Sequence, residues 1–130
     1  MNIIEAMQSI KNTEANFVEF FSGEMYSHLY DFYEDAVVCD SAAGKLFNDE
    51  RKRTIEILQL VEPQKLCNKK VNAIILLAYA FKSCNAAVHA GTILLYDAKY
   101  AKYTVRDLFA ATVQTLHLAR IAASDSLLQI

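Results

Sequence analysis

Glu24, His28, Asp31 and Asp35 stand four, three and four residues apart, a spacing that places all of them on one side of a helix. Carboxylates with an imidazole on a shared helical face are raw material for a divalent-metal site in a helical bundle, and a metal- or cofactor-dependent enzyme is one reading of them. A bundle metal centre also needs ligands on facing helices. Glu14 and Glu19 are the candidates there, and no Glu-x-x-His pair occurs anywhere in the chain. On a helical wheel the acidic stripe lies opposite Met25, Tyr26, Leu29, Tyr30 and Tyr33, the pattern of a solvated outer face. No metal or other cofactor is therefore expected.

The remaining reactive side chains are less organised. His89 and His117 are each embedded among apolar residues, where a histidine normally packs at a core boundary and bonds to the backbone. Cys39, Cys67 and Cys84 have no histidine close in sequence and no nucleophile signature around them. Gly23, Gly44 and Gly91 are too scattered for a phosphate-binding loop. None of Arg51, Arg53, Arg106 or Arg120 is followed about five residues later by a histidine, which argues against the helical ribonucleases that use such a pair. Lys99, Tyr100, Lys102, Tyr103 and Arg106 interleave cations with rings, the combination a single-stranded nucleic-acid surface uses. A pI of about 5.9 argues against that partner, and solvated helix faces account for the same residues.

The charge distribution is more informative than any motif. Between Lys11 and Lys45 there is no lysine or arginine, yet the interval holds Glu14, Glu19, Glu24, Asp31, Glu34, Asp35 and Asp40 among seven aromatic rings. Residues 1–50 carry ten carboxylates against two lysines, a formal −8, and residues 51–130 carry five against eleven basic groups, +6, within a net charge of −2. Such asymmetry points to a charged partner or to halves that face each other, within one chain or between copies. Rings supply rigid contact area and carboxylates steer toward a basic surface. The leading expectation is a non-enzymatic protein-binding domain, an inhibitor, immunity-type or adaptor protein. It would use Glu24, Tyr26, Tyr30, Asp31, Tyr33, Glu34 and Asp35 against a basic partner or a second copy in a homodimer.

The elements that must position these residues read as helices. The chain is 54% hydrophobic with three glycines and one proline, too few breakers for a turn-rich β fold, and its 130 residues suit a single domain. The expected architecture is all-α, one compact bundle of five or six helices over residues 1–130 with a central apolar helix. The apolar spacing from Ile3 to about Phe21 predicts one helix, with Asn12-Thr13 the candidate point for a kink. The second carries Met25, Leu29, Phe32 and Ala36 beside Tyr26, Tyr30, Tyr33 and Val37. Asp40–Asn48 reads as a connector, after which Asn48 or Asp49 caps a third helix that Pro63 stops. The central helix runs from Leu66 to about Ala90, and Gly91 breaks or bends it. A short segment from Ile93 to Tyr103 follows, and Thr104 with Asp107 opens the last helix, striped by Val105, Leu108, Phe109, Thr112, Val113, Leu116, Arg120 and Ala123.

The longest apolar stretch, Val71–Phe81, is about half of the roughly 20 residues a bilayer crossing needs, so a buried core helix is expected rather than a membrane span. The N-terminal residues lack the features of a secretory signal, and an odd number of cysteines without ligand spacing fits a reducing cytoplasm.

Overall fold

The computed structural model describes residues 1–22, 42–93 and 100–128, with side chains at 1–17, 42–88 and 107–128. Every regular element among these residues is helical. Four α-helices are present: α1 (Ile3–Ser22), α2 (Ala42–Gln59), α3 (Asn68–Ile93) and α4 (Tyr100–Leu128), with a 3₁₀ turn at Pro63–Lys65. The all-α expectation holds, and the helix expected between Met25 and Val37 lies outside the described residues.

Local chemistry sets the boundaries. Asn2 and Glu5 form a reciprocal capping box at the start of α1: Asn2 Oδ1 accepts from the Glu5 N–H at 2.8 Å, while Glu5 Oε1 accepts from Asn2 Nδ2 at 3.0 Å. As expected for a single helix, α1 runs on through Asn12-Thr13, the place where a kink was an alternative. Thr13 is buried between Ile10 and Phe17 on the inward stripe, so packing outweighs the weak local propensity of that pair. α2 begins six residues before Asn48, and the expected connector is helical from Ala42 onward because Gly44 and Phe47 belong to the buried stripe. The N–H groups of Leu60 and Val61 close the end of α2 on Ile57 and Leu58 carbonyls at 3.0 and 3.2 Å, and Pro63 opens the 3₁₀ turn. Gly91 does not end α3, which reaches Ile93. Thr104 is not a cap either, because α4 has already started at Tyr100.

Each helix contributes one phenyl ring to the centre of the core. Phe17, Phe47, Phe81 and Phe109, from α1 to α4 in order, are all fully buried. Phe17 meets Phe47 edge-on at 4.6 Å and Phe81 edge-on at 5.4 Å, and Phe47 also meets Phe109 at 5.6 Å. Edge-to-face geometry sets the positive ring edge against the negative ring face and adds to the gain from burial. Ile10, Ile74, Leu77, Cys84, Val113 and Leu116 extend this core along the bundle. α3 packs against α4 and α1, and α4 also packs against α2.

The segment Asn68–Val88 of α3 is 21 residues long and apolar enough to cross a membrane by length and composition, and half of it is buried within the fold. Its inward face carries Ile74, Leu77, Ala78, Phe81 and Cys84, while Leu76 and Tyr79 are exposed. The stretch is thus not buried on all sides.

Candidate functional site

The inward stripe of α2 reads Phe47, Glu50, Thr54, Ile57, so a carboxylate occupies a core position one helical turn after the phenyl ring. Glu50 is 0% exposed. A buried carboxylate needs charge-assisted partners, and α4 supplies them from one face, three residues apart. Arg120 donates from Nε to Glu50 Oε2 at 2.6 Å and from Nη2 to Oε1 at 3.1 Å, a two-pronged grip that matches the planar guanidinium to the carboxylate. His117 Nδ1 lies 2.6 Å from Oε1. Arg53, one turn further along α2, brings Nη1 to within 3.8 Å of the same oxygen. Burial alone would raise the Glu50 pKa. Hydrogen bonds and charge from Arg120 and His117 outweigh it and hold the carboxyl below its ordinary value of 4.5.

The next residue ties α2 to its other neighbour. Arg51 Nη1 lies 3.4 Å from Glu14 Oε1 on α1, and both side chains are mostly covered. Burial raises the Glu14 pKa above its ordinary value, and the Arg51 charge opposes that only in part. Glu14 Oε2 is buried with no hydrogen-bond partner among the described residues, which accounts for the incomplete compensation. Both pairs join a carboxylate from the acidic half of the sequence to cations of the basic half, so the two halves do face each other inside one chain at these points.

His117 was expected to bond to the backbone, and it bonds instead to a side-chain carboxylate from another helix. The residues proposed from spacing behave differently. Glu24, Tyr26, His28, Tyr30, Asp31, Tyr33, Glu34 and Asp35 lie outside the described residues, as does Lys99. Tyr100, Lys102, Tyr103 and Arg106 fall in the first turns of α4, and their side chains lie outside the described set, as does that of His89 in α3. Among the described residues no group of three or more His, Cys, Asp or Glu is placed to hold a metal ion.

No family model matches the chain, and neither the curated proteins nor the solved structures give a match. The residues themselves must carry any functional reading.

Among the described residues, two concave surfaces accompany the ionic cluster. One of about 350 Å³ lies at an end of the bundle, where Ile57, Leu60, Leu66 and Leu127 meet Glu62 and Lys70. The other, about 550 Å³, runs along the outside of α3 and α4 between Leu76, Tyr79 and Leu118. Leu76 and Leu118 are 63% and 65% exposed.

The two described cysteines differ in exposure. Cys84 is buried, and desolvation pushes its thiol up to about 11 despite a hydrogen bond with Thr112. Cys67 is exposed at the start of α3. Backbone N–H groups of Lys70 and Lys69, with the Lys70 charge, lower its pKa below the ordinary 9.0. In a Cys39→Ser background, iodoacetamide at neutral pH should label Cys67 at least about tenfold faster than Cys84. Peptide mapping of the labelled protein checks this, and equal rates would contradict the placement of the two thiols.

Proposed function

We propose that the chain is a small non-enzymatic protein-binding domain, of inhibitor, immunity or adaptor type, that acts in the cytoplasm. Its acidic, aromatic-rich segment from Glu14 to Asp40 docks on a basic partner surface or on a second copy of the chain. Glu24, Tyr26, Tyr30, Asp31, Tyr33, Glu34 and Asp35 form the contact set in this reading. The surrounding fold is taken as a bundle of five or six helices arranged around the apolar helix α3.

The observation that carries the proposal is the interval without lysine or arginine between Lys11 and Lys45, with its seven carboxylates and seven rings. Two carboxylates of the acidic half, Glu14 and Glu50, are engaged with cations inside the fold. A carboxylate–guanidinium pairing of this kind is what the contact set would make with a basic partner. Carboxylates on such a surface raise the association rate with a cationic partner, and rings provide the buried anchors.

Replacing Asp31 and Asp35 with Asn and Glu34 with Gln should weaken association about tenfold at low ionic strength, with a smaller effect at high salt. Sedimentation velocity of the purified protein reads the self-association form directly. For a partner complex, the same substitutions are compared by titration calorimetry. Affinity unchanged by the three substitutions would end the proposal.

A further inference from the structure

α3 and α4 run antiparallel, and their neighbours fix which residues stand level. Cys84 hydrogen-bonds with Thr112, and further along the pair Leu66 and Lys70 share a hollow with Leu127 and Ser124. Counted from these positions, Leu76 stands level with Leu118, and Lys69 with Asp125. On the outside of the pair runs the groove of about 550 Å³. Ala73, Ala80 and Ala119 are its more covered residues and form the floor, while Leu76, Tyr79 and Leu118 project from it exposed. Contiguous apolar surface of this kind marks an interaction site.

The two edges of the groove differ in the sign of their charge. α3 contains three lysines and no carboxylate, and Lys69 and Lys82 are exposed. On α4, Asp107 and Asp125 are exposed, whereas Arg120 is committed to Glu50. A face with one cationic and one anionic edge is complementary to itself, because a two-fold rotation brings each edge over the other.

We propose that this face joins two copies of the chain about a two-fold axis running along the groove. The rotation lays α3 of one copy over α4 of the other at the same level. Leu76 then packs on Leu118 of the second copy, and the alanine floor lets the helices approach closely. Lys69 meets Asp125 of the second copy, and symmetry forms the reciprocal pair. A two-fold axis across the groove would instead lay α3 on α3 and set Lys69 against Lys82, a like-charge juxtaposition that disfavours it. The proposal goes beyond the binding reading and does not depend on it, since it uses no residue between Glu24 and Asp35.

The test is sedimentation equilibrium of the full chain, which should show a concentration-dependent dimer. Leu118→Asp should weaken dimerisation at least about tenfold, by burying an unpaired charge at the centre of the contact. Its circular dichroism should match wild type, because Leu118 faces solvent in the single chain. Lys69→Asp and Asp125→Lys should each weaken the dimer about fivefold, and the two together should restore it to within about twofold. Asp125 also acts on Arg120, so Lys69→Asp, on the other helix, reads the contact separately. The dimer should survive Asp31→Asn, Glu34→Gln and Asp35→Asn, which distinguishes it from association through the acidic segment. In a Cys39→Ser, Cys67→Ser background, oxidation should join Leu76→Cys chains to Leu118→Cys chains faster than it joins Leu76→Cys chains to each other. A chain that stays monomeric at millimolar concentration would overturn the proposal. So would a monomer that binds lipid vesicles through this face, a dimer indifferent to Leu118→Asp, or faster coupling of Leu76→Cys to itself.

Discussion

Glu50→Ala should destabilise the fold by about 3–5 kcal/mol, the cost of stranding a buried partner of a broken charge pair. The substitution leaves Arg120, only 12% exposed in its side chain, without the carboxylate that both its Nε and Nη2 address, and removes the acceptor from His117. Glu50→Ala should therefore cost more than the combined Glu50→Leu, Arg120→Met variant, which removes both charges and keeps apolar volume between α2 and α4. Urea unfolding of the wild type, both single variants and the double variant gives the coupling directly. A double variant as unstable as the sum of its singles would show that the pair does not act as a unit.

The same carboxylate sets an acid limb. Because the folded-state pKa of Glu50 is depressed, its contribution is complete above the ordinary value of 4.5 and is lost as pH falls through the folded value. Glu14 works in the opposite sense. Its raised pKa means that ionisation costs stability, so the contribution present below its ordinary value disappears as pH rises through the folded value. Glu50→Gln should thus flatten the loss of stability below pH 4.5, and Glu14→Gln should flatten the change above it.

Phe47→Ala should cost a further class of energy, about 3–5 kcal/mol from lost burial and the cavity left behind. Phe47 contacts rings from all three other helices, at 4.6 Å to Phe17, 5.6 Å to Phe109 and 6.4 Å to Phe81. Phe17 and Phe81 are held by their own edge-to-face contact at 5.4 Å, which limits how far they relax into the space. Phe47→Leu keeps most of the volume and should cost less than about 1.5 kcal/mol. A small loss for Phe47→Ala in urea unfolding would mean that the four rings do not form the centre of the core.

The helical class was legible because three glycines, one proline and 3.6-residue apolar spacing leave little room for anything else. The boundaries were less legible. Asp40–Asn48 resembles a loop by its Ala-Ala-Gly run, but Gly44 and Phe47 pack inward and α2 is helical from Ala42; Thr104 with Asp107 resembles a cap, yet α4 starts at Tyr100. The Glu50 cluster was half visible. Arg120 falls on the apolar stripe of the last helix, and Glu50 falls on the stripe set by Phe47, Thr54 and Ile57, so each is a charge at a core position. Pairing them requires knowing that α2 and α4 are neighbours, which local spacing does not contain. Arg51–Glu14 was hidden for the same reason, since it joins elements 37 residues apart.

The binding reading rests on carboxylates of the acidic interval meeting cations on another molecule, and zero-length coupling of carboxylates to lysines reports that contact directly. Applied to cells producing the chain alongside an isotope-labelled copy, it should join Glu24, Asp31, Glu34 or Asp35 to lysines of one other protein or of the labelled copy, with fewer links at high salt. Links from these four residues that stay within a single chain, at any ionic strength, would contradict it.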